Sequence, residues 1–171
     1  MRKLIKRILA TGLPTLPLPA LPARMADTDA VTAFRAQVGR AIAVRHVDAG
    51  SCNACELEIH AANNIYYNLA RLGVHFVASP RHADVLLVTG PVSRHMVNAL
   101  HDAYAAMPAP KLVLAFGDCA AGCGVHCANY ATVGRVADVI PVDITLPGCP
   151  PTPLALVDAL HRLASAKTAP D

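Results

Sequence analysis

Six cysteines are the residues whose type and spacing could do chemistry in this chain of 171 residues. Thiolates bind metals or carry redox reactions, and either use requires several of them to meet at one place. The first two are separated by two residues, and the others lie far along the chain. They are Cys52, Cys55, Cys119, Cys123, Cys127 and Cys149.

The elements that would position these cysteines alternate between strand and helix. Strands are predicted at 41–47, 74–77, 84–88 and 112–116, with a weaker one at 139–142. The runs at 84–88 and 112–116 are continuously apolar, which is typical of strands buried on both faces of a parallel sheet. The alternation predicts an α/β fold with a mostly parallel sheet and helices on both faces.

Helices are predicted between these strands from caps, stops and apolar spacing. After a first helix at 28–38, a second follows Cys55, with Asn53 as its N-cap and Glu56 as the capping partner. It would carry Ala62, Ile65, Leu69 and Leu72 on one face and end at Gly73. A third helix, capped by Ser93, carries Met96 and Met107 as core residues, and a last one runs from 152 to about 164.

Each group of cysteines follows a predicted strand. Cys52 and Cys55 follow 41–47, Cys119 follows 112–116, and Cys149 follows the 139–142 region. The carboxyl ends of parallel strands lie at the same edge of a sheet, where ligands bind. We therefore expect these cysteines to converge there. The stretch 117–134, which carries three cysteines and lacks periodicity, reads as a functional loop.

Four chemistries compete for these thiols. Disulfides suit an even count, but the chain shows no secretory signal and is large enough to fold without them. A zinc ribbon needs two C-x2-C pairs, and only one is present. A thioredoxin-like dithiol would use the pair at the start of a helix but would leave four cysteines unexplained.

An iron–sulfur cluster accounts for more of the pattern. It needs four converging thiolates, and the amides at the start of a helix supply positive potential beside an anionic cluster. Cys149 precedes Pro150, as the last ligand does in ferredoxins. Glycines, which let the backbone approach a cluster closely, accompany the cysteines at positions 50, 117, 122, 124 and 148.

Composition and charge exclude several classes of protein. Hydrophobic residues make up 54% and charged residues 16%, which argues against a disordered chain. No apolar run approaches the roughly 20 residues of a membrane span. Residues 1–24 hold five basic and no acidic residues, so the rest of the chain balances to −2 against the total of +3. That slightly acidic remainder argues against nucleic-acid binding.

The predicted organisation is one domain with two tails. A basic, proline-rich tail occupies 1–25, a single iron–sulfur α/β domain 26–165, and a short tail 166–171. The first tail is either solvated, an amphipathic segment touching a membrane or partner, or a targeting peptide.

Four segments resemble, in order and spacing, the small cluster-bearing subunit shared by nickel–iron hydrogenases and respiratory complex I. They are CNACE at 52–56, SPRHADVLLVTG at 79–90, GDC at 117–119 and PGCPP at 147–151. The chain looks most similar to the energy-converting, membrane-bound hydrogenases, including the formate hydrogenlyase type. Complex I subunits typically open with adjacent cysteines, and uptake hydrogenases typically add a second cluster-bearing domain.

The resemblance implies a flavodoxin-like fold and one 4Fe–4S cluster on Cys52, Cys55, Cys119 and Cys149. It implies three kinds of partner: a large subunit holding the nickel–iron site, a ferredoxin-like two-cluster subunit, and integral membrane subunits. The small subunit would relay electrons at the cytoplasmic face of the cell membrane. Two alternatives stay open: a complex I-like subunit whose partner lacks nickel and reduces quinone, and a zinc-stabilised docking subunit without redox function.

Other residues have no fixed role in this pattern. Cys123 and Cys127 have no counterpart in the four-ligand set and are read as free thiols, extra cluster ligands, ligands of a second metal or a redox-labile pair. Glu56 either serves the helix dipole or moves protons near the partner's active site. Arg81 and His82 face a partner, a quinone pocket or solvent. His126 either donates a hydrogen bond to a metal ligand or binds a metal itself.

Overall fold

The structure, a computed structural model, describes residues 41–122, 124–126 and 129–164. The predicted helix at 28–38, most of both predicted tails, Cys123 and Cys127 lie outside the described residues.

Five parallel strands form the central sheet. In spatial order they are β2 (Val74–Phe76), β1 (Ile42–Asp48), β3 (Val85–Thr89), β5 (Leu112–Phe116) and β7 (Ile144–Leu146). Counted along the chain this order is 2-1-3-4-5, the flavodoxin-like arrangement of a doubly wound sheet. The mostly parallel α/β fold is therefore confirmed. Two short strands, β4 (Val92–Ser93) and β6 (Thr132–Gly134), pair antiparallel outside this sheet.

In the described part of the chain, four α-helices connect and cover the strands. They are α1 (Ala54–Ala62), α2 (Val97–Ala106), the single turn α3 (Asp118–Ala121) and α4 (Pro153–Ala164). Short 3-10 turns occupy Leu69–Leu72, Pro80–His82 and Val136–Asp138. None of the described helices is long and apolar enough to cross a membrane.

The core lies on both faces of the sheet because β3 is apolar up to its last residue, Thr89, and β5 is apolar throughout. In β3, Val85 and Leu87 pack on the face covered by α1 and α4, whereas Leu86 and Val88 pack on the face covered by α2. All five residues of β3 are buried, as are all five of β5. The prediction that these two apolar runs are strands buried on both faces of the sheet is therefore confirmed.

The weaker strand expected at 139–142 is wrong in position. The strand on this side of the sheet is β7, whose residues Ile144 and Leu146 are buried while Thr145 is exposed. Val136 and Ile140 instead pack into the core from a 3-10 turn and the bend after it. Pro141, which has no amide hydrogen for a strand ladder, separates the two segments.

The long helix expected to carry Ile65 on its buried face ends early. Helix α1 stops at Ala62, and Ile65 is 95% exposed. The carboxamide oxygen of Asn64 accepts hydrogen bonds from the amides of Tyr66 and Tyr67, which turns the chain at this point. Leu69 reaches the core from the following 3-10 turn, and Gly73 ends that turn as expected.

Asn53 takes the predicted N-cap position of α1, but with φ 71° its side chain makes no capping hydrogen bond. The cap predicted at Ser93 is wrong. Ser93 lies in β4, where its amide donates to Ala49, so α2 begins only after Met96. Both residues are recruited by tertiary contacts or turn geometry that a local cap signal does not contain.

Candidate functional site

Four cysteines from three strand ends meet at the carboxyl edge of the sheet. Cys52 and Cys55 follow β1, Cys119 follows β5, and Cys149 follows β7. All four line one small hollow, together with Ser51, Ala54, Gly90, Asp118, Gly148 and Pro150. Cys55 is buried, Cys119 is half-buried, and Cys52 and Cys149 are exposed. The hollow is therefore closed by the sheet on one side and open to the surface on the other.

An aspartate shapes the loop that carries the first two cysteines. The carboxylate oxygen Oδ1 of Asp48 accepts hydrogen bonds from the amides of Gly50 at 2.9 Å and Ser51 at 2.7 Å. The hydroxyl of Ser51 in turn accepts from the amide of Asn53 at 3.1 Å. These contacts bend the chain directly after β1 and place Cys52 at the rim of the hollow.

A second aspartate joins the loops that carry the other two cysteines. The amide of Asp118 donates to the carbonyl of Gly148 at 2.8 Å, and Asp118 Oδ1 accepts from the amide of Gly148 at 2.7 Å. The amide of Gly117 also donates to the carbonyl of Leu146 at 2.8 Å. Gly117 and Asp118 directly precede Cys119, and Leu146 and Gly148 precede Cys149. These bonds therefore fix the two thiols relative to each other.

The hollow leaves no room for side chains at two glycines. Gly117 has φ 96°, and a Cβ atom there would lie 2.8 Å from the sulfur of Cys55. A Cβ atom on Gly124 would overlap the Cys119 side chain. The backbone therefore approaches these thiols more closely than a residue with a side chain would allow.

The surroundings of Cys55 change the pKa of its thiol. Burial raises the pKa of the Cys55 thiol to about 12, and negative charge on Glu56 and on the other three cysteines adds to the effect. Such a group ionises at neutral pH only beside a strong positive charge, which a metal centre supplies. Among the described residues, no three His, Cys, Asp or Glu side chains form a group that would hold one metal ion.

A short polar network lies beside the cysteine hollow. Glu56 is 9% exposed, and its Oε2 accepts a hydrogen bond from the Ser51 hydroxyl at 2.5 Å. Its Oε1 lies 3.6 Å from Nε2 of His46, and that nitrogen is 3.0 Å from the hydroxyl of the fully buried Thr89. Burial lowers the pKa of His46, although the neighbouring carboxylates oppose this effect. The network links β1, β3 and α1.

Most of the described chain matches one known protein family. The sequence profile of the family described as NADH ubiquinone oxidoreductase, 20 Kd subunit, matches residues 52–163. That range includes all four cysteines of the hollow. The chain belongs to this 20 kDa subunit family.

Two curated relatives of this chain are oxidoreductase subunits. The probable membrane-bound hydrogenase subunit mbhJ of Pyrococcus furiosus is 44% identical over 131 residues, which cover 74% of this chain and 78% of the relative. Formate hydrogenlyase subunit 7 of Escherichia coli is 37% identical over 139 residues, covering 79% of this chain and 54% of the relative. The predicted membership of an oxidoreductase subunit family is confirmed.

Solved structures agree with this fold. A chain of the membrane-bound sulfane sulfur reductase, an archaeal respiratory membrane complex, aligns with a TM-score of 0.64 and 27% identity, covering 81% of this chain and 78% of that chain. A chain of an NAD+-reducing [NiFe]-hydrogenase aligns with a TM-score of 0.58 at 22% identity, covering 73% and 92%. The second likeness shows the fold alone.

Other residues singled out from the sequence lie away from the hollow. Arg81 and His82 are exposed in the turn before β3, at the opposite edge of the sheet from the cysteines. His126 is exposed and does not line the hollow.

Several residues of the candidate site were not singled out from the sequence, among them His46, Thr89 and Asp118. Only Asp118 had a local signal, since it stands between Gly117 and a cysteine. The other two are recognisable only once β1 and β3 are paired.

Proposed function

We propose that this chain is the electron-transfer small subunit of a membrane-associated nickel–iron hydrogenase or complex I-like oxidoreductase. It would relay electrons through one 4Fe–4S cluster held by Cys52, Cys55, Cys119 and Cys149. The observation that carries the proposal is the convergence of these four thiols, from three strand ends, on one hollow.

The donor set fits such a cluster. Four thiolates are the usual ligands of a 4Fe–4S group, and glycines beside them leave space for its sulfides. Burial is the main cause of the raised pKa of Cys55, and negative charge on its neighbours adds to it. A cationic iron centre would offset this effect and hold the thiols deprotonated.

The chain's own residues position and shield the site. When bound, a 4Fe–4S cluster takes up and releases one electron at a time. Asp48 and Asp118 hold the three cysteine-bearing loops, so that electron transfer requires little rearrangement. Phe116 and Leu146, buried at the ends of β5 and β7, close the inner side against water. The exposed Cys52 and Cys149 mark the side that a partner would cover.

We propose three kinds of partner for this chain. Support comes from its relatives, which are subunits of a membrane-bound hydrogenase and of formate hydrogenlyase. We therefore place a large subunit with a nickel–iron site, a ferredoxin-like two-cluster subunit and integral membrane subunits around this chain. The chain would be peripheral, at the cytoplasmic face of the cell membrane.

A second candidate function is favoured by the family description itself. The matching family is described by an NADH ubiquinone oxidoreductase subunit. A partner without nickel would then receive electrons for quinone reduction. The two candidates share the same cluster role for this chain and differ in the metal content of the large subunit.

For Glu56, a role in proton movement stays a prediction. Its buried carboxylate neighbours Cys55, accepts from Ser51 and lies 3.6 Å from His46. A carboxylate so close to an electron carrier is suited to exchanging protons with a partner's active site.

The test is the metal content of anaerobically purified protein. We expect about four irons and four sulfides per chain, and an S = 1/2 signal in low-temperature EPR after dithionite reduction. Zinc without sulfide would contradict the electron-relay function and leave a docking subunit. Nickel in the copurified large subunit would distinguish the hydrogenase from the quinone reductase.

A further inference from the structure

A second cavity, of about 280 Å³, opens beside the network of Glu56 and His46. It is separate from the cysteine hollow, since no residue lines both. Its apolar wall consists of Ile59, Phe76 and Val77, and its polar wall includes Arg45, His46 and Glu56.

The cavity exists because β2 is shorter than its neighbour. Strand β2 pairs with β1 only as far as Phe76, and the last bond runs from the amide of Val77 to the carbonyl of Val44. Strand β1 continues to Asp48 beyond that point. The edge of β1 and the first turns of α1 therefore face open space rather than another strand.

One carboxylate oxygen of Glu56, a residue that lines this cavity, has no hydrogen-bond partner among the described residues. Glu56 is 9% exposed, and its Oε1 accepts no hydrogen bond, although Oε2 bonds to Ser51. The nearest basic atom, Nε2 of His46, is 3.6 Å away and lies within hydrogen-bond distance of Thr89. A buried charged acceptor without a hydrogen bond is unfavourable, so an occupant that brings an N–H donor to this carboxylate would relieve the cost.

Exposed apolar side chains lie close along the chain to residues that line the cavity. Leu57, one turn before the cavity residue His60 on α1, is 61% exposed. The turn that follows the cavity residue Asn63 presents Ile65 at 95% exposure and Tyr66 at 83%. Exposed apolar and aromatic groups around a polar anchor are typical of a protein interface.

We propose that this cavity receives the side chain of an arginine or lysine from a partner subunit, with its N–H group bonded to the carboxylate of Glu56. The apolar wall would contact the aliphatic stem of that side chain. A cation fits better than a neutral donor because the acceptor is a buried carboxylate. Arg45 is only partly buried, so water screens its repulsion of the incoming cation. Leu57, Ile65 and Tyr66 would form the rim of the interface. The inference rests on the proposed assembly with partner subunits.

The first test measures how firmly partners are retained. The complex is purified through a tag on this chain, and its subunits are quantified as sodium chloride is raised. We expect Glu56→Gln to weaken retention of one partner about tenfold or more, as loss of one member of a buried charge pair does. Glu58→Gln is the matched control, since Glu58 lies two residues further on α1 and does not line the cavity. It should retain partners as the unaltered chain does.

A second test leaves Glu56 intact. A photo-cross-linking residue at Asn63, a cavity position, should capture a partner peptide that contains arginine or lysine, identified by mass spectrometry. The same residue at Asn98, which is exposed on α2, should not capture that peptide. Charge reversal of the captured basic residue, combined with Glu56→Lys, should restore retention that either change alone abolishes.

The outcomes separate this proposal from the electron-relay function. Retention unchanged by Glu56→Gln, with iron content preserved, would overturn it while the relay function stands. Lost turnover with full retention would also overturn it and favour the proton role of Glu56. If Glu56→Gln itself loses iron, the cross-link decides, and absence of a basic peptide at Asn63 overturns the proposal. Loss of iron and sulfide in the unaltered chain would contradict the relay function alone.

Discussion

At the scale of single residues, the four cysteines of the hollow differ in exposure although they share one site. Cys55 is buried under the sheet edge, whereas Cys52 and Cys149 reach the surface. A site built in this way has one rigid inner ligand and an outer side that a partner can approach. The first prediction follows from the four-ligand assignment.

Replacing a proposed ligand should remove most of the cluster. Cys119→Ser or Cys149→Ser should lower iron from about four per chain to less than about one, because four thiolates hold this type of cluster. Cys123→Ser should leave the iron content nearly unchanged. Iron and sulfide assays on anaerobically purified variants give the answer, and equal loss from Cys123→Ser would contradict the four-ligand assignment.

Substitution of Gly117 should lower the iron content as much as loss of a cysteine ligand does. In Gly117→Ala the new Cβ atom would lie 2.8 Å from the Cys55 sulfur, at φ 96°, so we expect most of the iron to be lost. Gly73→Ala is the control, because Gly73 also has a positive φ, 79°, but lies before β2 at the other edge of the sheet. It should lower the free energy of unfolding by roughly 1–2 kcal/mol and keep its iron. A Gly117→Ala protein with full iron would show that the loop adapts.

At the scale of elements, the site depends on loops that join strand ends rather than on the strands themselves. Asp118 exchanges two hydrogen bonds with Gly148, thirty residues away, and so connects the start of α3 to the loop after β7. This connection sets the separation of Cys119 and Cys149.

Asp118→Ala should loosen that connection. It removes a charged acceptor from a half-buried amide, which costs roughly 1–3 kcal/mol of unfolding free energy, and it should speed iron loss to a chelator. Asp118→Asn keeps an oxygen acceptor and should show a smaller effect. Asp138→Ala is the control, because its contact with Arg135 lies on the surface and such pairs contribute about 0–1 kcal/mol. Identical chelation rates for Asp118→Ala and the unaltered chain would contradict this role.

At the scale of the whole molecule, the paired strands and α1 enclose His46, and this burial couples stability to pH. The pKa of folded His46 is lowered, so below about pH 6.5 the unfolded chain binds a proton that the folded chain resists. The free energy of unfolding should therefore fall as pH decreases from about 7 to 5.

Urea unfolding of the purified chain at a series of pH values measures this dependence. His46→Gln should flatten the decrease between about pH 7 and 5, because the lowered group is gone. His101→Gln, at an exposed position on α2, should leave the decrease as it is. Equal slopes for His46→Gln and the unaltered chain would assign the dependence to other groups.

Local signals in the sequence were sufficient for much of the fold. The apolar runs of β3 and β5 predict two-sided burial because each residue must contact one face or the other. The last helix, from Pro153 to Ala164, follows from its start signal and apolar spacing. The capping bond predicted for the Asn53 side chain is absent and the cap predicted at Ser93 is wrong, because loop geometry and contacts from other strands decide what those residues do.

The sequence by itself determined which residues could do the chemistry and that they follow strand ends, since residue type and periodicity are properties of the local chain. Only the tertiary structure decided that β7, and not 139–142, delivers Cys149 to the sheet edge. It also brought together Asp118 with Gly148, and Glu56 with His46 and an open cavity. Those contacts join residues ten to thirty positions apart, and their geometry depends on how the strands pair.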